Sequence, residues 1–488
     1  DHLRRESIVA MGRTAPNPAV AAVVVAATPA GRKIFSGGTE PPGARHAEIV
    51  ALDAADSWTL ADSAESSRVL KKSSSPNDDA LPAEVGAGPR RIYVRLEPCS
   101  HHGRTPPCTD RILSYSKLRS VIVFAPDKSL PESGREILRG GGRRVVLLKP
   151  ENSGAAFRAD EFLFGFQSRV AGEGPRLHYK QATTSDGVLG LRNRRLMISG
   201  ARALWVGQLL RAKLDALVVG PGTIGVDFPS LALRSAELSG VSPESQAKYK
   251  PGPGGGSESF VREGPELRQP GNGGDWFWDS LFQYAAAVRS AIAADSAAYQ
   301  PARVFILGRP RETAADFLRR QLELTVETGR APVFAFLPDC RNAWRSLFSD
   351  LRNASSLRRV GPGSEAREKG VAAFDVNIGF GLKGAAELPA LTDPAFAARL
   401  RESLGEAGFN EVMVEGGAGL LSALQSGSRP QDRAYLLRSK RALADFPNGS
   451  DRDLETVMLP DWLAAGPPAA TYDLGEDVLE VRFPGRED

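Results

Sequence analysis

The chain has 488 residues, 42% of them hydrophobic and 25% charged, the balance of a folded protein with more than one domain rather than of a disordered one. A net charge of +4, with no dense lysine and arginine block and no interleaved aromatic residues, argues against a nucleic-acid partner. Ala19–Ala27, the longest uncharged apolar run near the front, is far too short to span a bilayer, so no membrane partner is expected either.

Three cysteines, Cys99, Cys108 and Cys340, are too few for a disulfide framework and suit a reducing cytoplasm. No secretory signal segment opens the chain, and its first residue is Asp1 rather than Met, as expected of a trimmed start.

Taken in order, the β-branched runs Ala19–Ala27, Ile92–Leu96, Val121–Ala125 and Val145–Leu148 predict buried strands. Helices are expected over His46–Ala55, after Pro107, and over Glu132–Arg139. This alternation predicts an α/β sheet covered on both faces. Ser57–Gly88, rich in Ser, Asp and Pro, reads as a solvated insertion.

A second α/β series follows Gly172. Strands are expected at Ala216–Gly220, Val304–Gly308, Val333–Leu337, Ala372–Val376, Val412–Glu415 and Val478–Phe483, and a helix at Ala201–Ala212. Ser235–Gly274, with PGPGGGSES and QPGNGG, holds too much Gly and Pro to pack a core and reads as a second insertion. The expected division is therefore a domain over 1–170, with an insertion at about 57–88, and one over 171–488, with an insertion at about 235–274.

The first domain carries a chemical pattern. His46-Ala-Glu48 is followed by Glu97-Pro98-Cys99 and then Cys108. One imidazole and two thiolates are three suitable ligands for Zn2+, leaving a fourth tetrahedral position for water. Glu48, two residues after His46 at a helix start, is placed to move protons between that water, a ring nitrogen and a departing amine without being a ligand. The H-x-E and P-C pattern resembles that of zinc deaminases, except that eight residues rather than two separate the cysteines. The long loop between them, SHHGRTPP, is a polar set suited to a phosphorylated substrate. Buried cysteines alone pack like small hydrophobes, and an H-x-E triplet alone is common, so it is the joint occurrence that argues for chemistry.

In the second domain Arg211 and Arg234 offer guanidinium groups to a phosphate, although a lone arginine is more often a plain surface residue. Val412-Met-Val-Glu415-Gly416-Gly417-Ala418-Gly419 reads as a strand, a glycine turn and a helix start, a place where bare backbone N–H groups can meet a dinucleotide phosphate. It is not a G-x-G-x-x-G fingerprint.

TAPNPAV (Thr14–Val20), HAE (His46–Glu48) and LEPCSHHGRTPPC (Leu96–Cys108), with the ordered motifs of the second half, resemble the bifunctional deaminase–reductase family of riboflavin biosynthesis. The resemblance spans nearly the whole chain apart from the two insertions. It implies a cytidine-deaminase-like three-layer α/β/α domain followed by a dihydrofolate-reductase-like α/β domain. It implies Zn2+ on His46, Cys99 and Cys108, with Glu48 as acid and base, and a phosphorylated pyrimidine ribosylamine as the small-molecule substrate. It also implies NADPH on Ala182, Thr223, Gly417, Ala418 and Gly419, and a ribose-phosphate site lined by Arg211, Asp227, Leu231, Arg234 and Glu415. A homo-oligomer is in keeping with the family.

Met197-Ile198-Ser199, Arg195, Asp227-Phe228 and the segment Gln431–Lys440 depart from the family pattern in the reductase half. They leave open a deaminase whose second domain is only a scaffold. A zinc-stabilised binding module without catalysis is the alternative of another class.

Overall fold

The computed structural model describes the chain apart from residues 29–30, 70–87, 131, 149–158, 193–195, 228, 235–237, 239–275, 354–381, 383–386, 448, 450–453 and 485–488. It divides into two compact units, Asp1–Val170 with Trp276–Val288, and Ala171–Asp275 with Arg289–Asp488.

The first unit runs α1 (His2–Ala10), β1 (Ala21–Thr28), β2 (Gly31–Gly38), α2 (Ala47–Val69), β3 (Gly88–Leu96), α3 (Cys108–Ser114), β4 (Ser120–Ala125), α4 (Gly134–Gly140), β5 (Arg144–Leu147) and α5 (Ala159–Val170). Its five-stranded sheet has the order β2-β1-β3-β4-β5. β1 is antiparallel to both neighbours, and β3, β4 and β5 run parallel.

Alternate strand residues Ala22, Val24, Ile92, Val94, Val121 and Val123 form one face, because side chains repeat every second residue. They share a core with Ala47, Ala51, Leu52 and Ala55, which the helical period gathers on one side of α2. That packing sets the start of α2 against the sheet and so fixes where His46 and Glu48 sit.

The four strands expected here are β1, β3, β4 and β5. β2 was not expected. Its Gly, Arg and Lys lack apolar alternation, but an edge strand tolerates such residues, and it pairs with β1 along its whole length. The helix expected over His46–Ala55 runs on to Val69, into the segment read as an insertion. Nothing between Asp56 and Val69 is Gly or Pro, so no residue there stops it. The remainder of that insertion, 70–87, lies outside the described residues.

The second unit carries β6 (Arg176–Thr183), β7 (Val188–Leu191), α6 (Ala201–Arg211), β8 (Ala216–Val219), α7 (Pro221–Asp227), β9 (Ala302–Leu307), β10 (Val333–Phe336), β11 (Glu411–Val414), β12 (Arg433–Ser439), β13 (Thr456–Met458), β14 (Ala470–Asp473) and β15 (Asp477–Arg482). Its eight-stranded sheet has the order β10-β9-β8-β11-β6-β12-β15-β14. The six strands from β10 to β12 are parallel, and β15 and β14 add an antiparallel margin.

Leu177, Tyr179, Val218, Ile306, Val414 and Leu436 belong to the main core, with Leu400 and Leu404 of helix Phe396–Glu406 and Leu420, Leu421 and Leu424 of helix Ala418–Leu424. The fold is thus of two α/β units, each built on its own sheet, but the division differs from the expected 1–170 and 171–488 in that Trp276–Val288 falls in the first unit.

The segment Gln431–Lys440, read as a poor match to a family strand, contains β12, buried between β6 and β15. Position in the sheet outweighs its odd sequence. The strand expected at Ala372–Val376 and nearly all of the insertion at 235–274 lie outside the described residues. Arg195 and Phe228 do too. Helix Trp276–Gln283, just beyond that insertion, is grouped with the first unit, where Arg4 Nη2 donates to Ser280 Oγ at 3.1 Å.

Candidate functional site

In the first unit three chain segments converge. His46 immediately precedes α2, Cys99 follows the end of β3, and Cys108 is the first residue of α3. His46 Nδ1 lies 3.5 Å from Cys99 Sγ and 3.4 Å from Cys108 Sγ, and all three ligand atoms fall within 4.8 Å of one another. Tetrahedral zinc with ordinary Zn–N and Zn–S bonds sets an N to S edge of about 3.6 Å, so donor types and spacing both fit the ion. Among the described residues three ligands gather here, which would leave a bound ion a fourth position for water.

The electrostatics suit metal capture. The Cys108 amide donates to Cys99 Sγ at 3.3 Å. The two thiols are driven in opposite directions, so Cys108 keeps its proton. Hydrogen bonding from Cys108, then from His46, draws the Cys99 thiol well below its ordinary range, while the bond to Cys99 and burial drive Cys108 well above. His46 is raised, chiefly by its bond to Cys99 against the opposing effect of burial. A divalent cation would displace these protons and take both sulfurs as thiolates.

Glu48 lies on the first turn of α2 and is only 4% exposed. Burial, and next the charge on Cys99, push its carboxyl up to about 7. A cation held by the three ligands would pull that value down again. Glu48 is therefore a buried carboxyl beside the ligand set, and its protonation responds to the charge held there.

The loop bearing Cys99 is held from behind by Glu97. Its carboxylate accepts from Ser133 Oγ at 2.6 Å, the Arg135 amide at 3.1 Å and Arg135 Nε at 2.8 Å. Burial raises Glu97, but these donors outweigh it and hold the group ionised. Gly134 is what allows this closeness, since a methyl group there would sit 2.0 Å from the Pro98 carbonyl oxygen. Sequence reading quoted Glu97 only as part of a motif and did not see this bracing role.

In the second unit the structure brings Arg211, Glu415 and Arg234 into one charged cluster. Arg211, the last residue of α6, grips Glu415 just past β11 with two bonds, Nε to Oε1 at 2.8 Å and Nη2 to Oε2 at 2.6 Å. Burial raises Glu415, yet Arg211 and Lys180 together bring it down to about 2. Arg234 also acts on Glu415 and on Lys180, while its amide donates to Gln208 Oε1 at 3.0 Å.

Lys180, on β6, is the member that sequence reading missed. Burial lowers its pKa first, and the nearby arginines lower it further against the pull of Glu415. The sequence held no distinct signal for it, because the strand RLHYKQAT also carries Arg176, His178 and Gln181.

Leu231 is buried with φ of 52°, a left-handed backbone unusual for a branched residue, in the chain leading to Arg234. Asp227 ends α7 and is exposed. Ala182 lies on β6, two residues after Lys180 and so on the same face of the strand. Gly417 precedes helix Ala418–Leu424, which Ala418 and Gly419 open, and a Cβ on Gly417 would lie 3.8 Å from Thr223 Oγ1.

His178 and Cys340 are both buried. His178 Nε2 is 2.6 Å from Glu411 and its Nδ1 is 3.1 Å from Tyr435, which ties β6 to its two neighbours. Cys340 donates to the Pro338 carbonyl at 3.2 Å.

No family model matches the chain. Among curated proteins it is 32% identical over 225 residues to the riboflavin biosynthesis protein RibD of Aquifex aeolicus, covering 46% of this chain and 53% of that one. RibD of Synechocystis is 30% identical over 237 residues, covering 47% of this chain and 54% of the relative. The chain thus spans about half the length of the curated relatives it matches.

Among solved structures, Acinetobacter baumannii RibD superposes with a TM-score of 0.53 at 20% identity, covering 98% of this chain and 96% of that one. A diaminohydroxyphosphoribosylaminopyrimidine deaminase/5-amino-6-(5-phosphoribosylamino)uracil reductase from Thermotoga maritima gives 0.53 at 19% identity, covering 98% and 95%. The chain is thus similar in sequence, over about half its length, to RibD riboflavin biosynthesis proteins, and it shares the fold of RibD structures along nearly all of it.

Proposed function

We propose that the chain is a two-step enzyme of riboflavin biosynthesis. Its first unit deaminates 2,5-diamino-6-(5-phosphoribosylamino)pyrimidin-4-one by hydrolysis, and its second reduces the ribosyl group of the product to a ribityl chain. The observation that carries the reading is His46 Nδ1 within 3.5 Å of both Cys99 Sγ and Cys108 Sγ, with the buried Glu48 carboxyl beside them.

His46, Cys99 and Cys108 would hold zinc, which when bound makes water acidic enough to attack near neutral pH. Glu48 accepts a proton from the attacking water and passes it to a ring nitrogen. It then carries a second proton to the exocyclic amine, which leaves as ammonia while the ring carbon keeps the oxygen as a carbonyl. Its burial shields that relay from bulk solvent. The loop Ser100–Pro107, with His101, His102 and Arg104, supplies polar side chains for the phosphorylated end of the substrate.

In the second unit Arg211, Arg234 and Lys180 form a cationic cradle for the same phosphorylated sugar, and Glu415 holds Arg211 in position. Leu231 and Asp227 would complete the wall of that cradle. Ala182, Thr223 and the turn Gly417–Gly419 would hold NADPH, which supplies a hydride to the anomeric carbon of the ring-opened ribose. The completeness of the charged cluster is why the second unit is assigned a reaction rather than a scaffold role. Free cysteines fit a reducing cytoplasm, and no helix among the described residues is long and apolar enough to cross a membrane.

A coupled assay tests the whole reading. Zinc-loaded protein given the diaminopyrimidine should release one ammonia and then oxidise one NADPH per substrate. Folded, metal-loaded protein that releases no ammonia overturns the first step, and ammonia without NADPH oxidation overturns the second.

A further inference from the structure

We infer that Arg111 is a positioning residue of the metal site: it clips α3 to α2 through Asp53 and Asp56 and so sets the spacing of His46 and Cys108. The inference rests on the reading of His46, Cys99 and Cys108 as ligands of a divalent cation.

Each of the two helices begins at a ligand. The His46 carbonyl accepts from the Val50 amide at 3.1 Å, which makes His46 the cap of α2, and Cys108 opens α3. Asp53 lies two helical turns after His46 on the same face of α2, and Asp56 follows one turn further on. On α3 Arg111 is one turn after Cys108, and Tyr115 is one turn after Arg111. The face of each helix that starts with a ligand therefore carries the residues that pair with the other helix.

The pairing is direct. Arg111 Nη2 donates to Asp53 Oδ1 at 3.1 Å and to Asp56 Oδ2 at 2.9 Å. The Tyr115 hydroxyl donates to the same Asp56 oxygen, and its ring lies under the Arg111 guanidinium, 5.0 Å from ring centre to cation. Burial first, then Asp56, push that hydroxyl above its ordinary range, so it stays a donor. The other oxygen of Asp53 accepts from Arg45 Nη1 at 3.3 Å. Arg45, the neighbour of His46, is itself gripped by Glu40 through bonds of 3.0 and 2.7 Å. One chain of charges thus runs from the residue before His46, across α2, to the helix that Cys108 opens.

Magnitudes decide what this clip can do. The side chains of Arg111, Asp53 and Asp56 are 38%, 34% and 39% exposed, so either pair alone adds little to overall stability. A helix of seven residues, however, does not hold its own direction, because helices under about 12 residues are marginal without tertiary contacts. A small force is enough to turn α3, and its first residue is the ligand. Cys99 stands outside this arrangement, since Glu97 braces its loop. The clip therefore acts on one edge of the site, the 3.4 Å between His46 Nδ1 and Cys108 Sγ.

The test strips the full chain of metal and titrates it with Co2+, whose thiolate charge-transfer and tetrahedral bands report ligand geometry. Zinc affinity is measured by competition with a chromophoric chelator. Wild type should show the bands. Arg111→Ala should shift and weaken them and bind zinc about three- to tenfold less tightly, the worth of two exposed pairs. Arg111→Lys, which keeps the charge, should restore most of both. Arg5→Ala breaks an exposed pair with Glu6 on α1 and should leave bands and affinity unchanged. Wild-type bands and affinity in Arg111→Ala, whatever its unfolding temperature, overturn the inference while the ligand reading stands. So does a loss that Arg111→Lys fails to mend or that Arg5→Ala reproduces. A wild-type protein that shows no thiolate bands with Co2+ overturns the ligand reading and the inference with it.

Discussion

Arg211 and Glu415 meet as a two-pronged pair, the guanidinium of α6 laid against the carboxylate that follows β11 at 2.8 and 2.6 Å. Each side chain is mostly buried, with 15% and 12% of its surface exposed. Removing one partner therefore leaves the other charge without compensation. Glu415→Gln should destabilise the second unit by about 3–5 kcal/mol, because Arg211 and Lys180 would repel with no anion between them. Chemical denaturation followed through nucleotide release would measure it. An unchanged midpoint would show that solvent already neutralises the cluster.

The same pair predicts a pH dependence. Glu415 falls from an ordinary value of 4.5 to about 2 in the folded chain. A carboxyl depressed on folding stabilises the protein above its unfolded pKa, and that contribution is lost as pH falls through the folded value. It should amount to on the order of 3 kcal/mol and fade between about pH 5 and pH 2. Stability curves of wild type and Glu415→Gln should converge across that window. Parallel curves would mean the carboxyl is not held low.

The first unit's site was readable because its ligands are scarce residue types whose chemistry limits them. The sequence has five histidines and three cysteines, and the useful ones cluster around two short motifs. The charged cluster was only half readable. Arg211 and Glu415 stand 204 positions apart, and only the adjacency of α6 and β11 pairs them. Lys180 was hidden because strand alternation says which residues share a face, not which charge lies above that face. β12 was misjudged since a strand bonded on both sides needs little help from its own composition. No linear pattern could say that helix Trp276–Gln283 packs against α1 and α5 of the first unit.

That helix makes a prediction of its own. Trp278 is fully buried and stacks edge to face on Phe282, and Ser280 accepts from Arg4 of α1. Trp278→Ala should cost about 3–5 kcal/mol, the range for emptying a large aromatic site. The loss should fall on the first unit, read as earlier release of bound zinc on heating, with NADPH binding by the second unit unchanged. Loss of both together would place the helix in the second unit's core instead.

Gly134 tests whether the metal site depends on how its loop is braced. A methyl group 2.0 Å from the Pro98 carbonyl cannot be accommodated without moving the loop that leads into Cys99. Gly134→Ala should cost about 1–3 kcal/mol, as overpacking does, and should lower zinc content after dialysis although no ligand has changed. Full retention of zinc would show that the loop adapts freely.

Glu48→Gln separates proton transfer from metal binding. The amide keeps the size of the buried side chain but cannot accept and return a proton. The three ligands remain, so zinc content and unfolding temperature should match the wild type. Ammonia release should fall by about two to four orders of magnitude, the usual contribution of a placed general acid and base. Cys108→Ser is the converse: it removes a thiolate, so zinc should be lost on dialysis and activity with it. In the wild type and in Glu48→Gln zinc affinity should rise with pH, since the ion competes with the protons on the cysteine sulfurs and on His46. A Glu48→Gln protein that turned over normally would remove the carboxyl from the reaction, and one that lost its zinc would make Glu48 a support for the ligands rather than a carrier of protons.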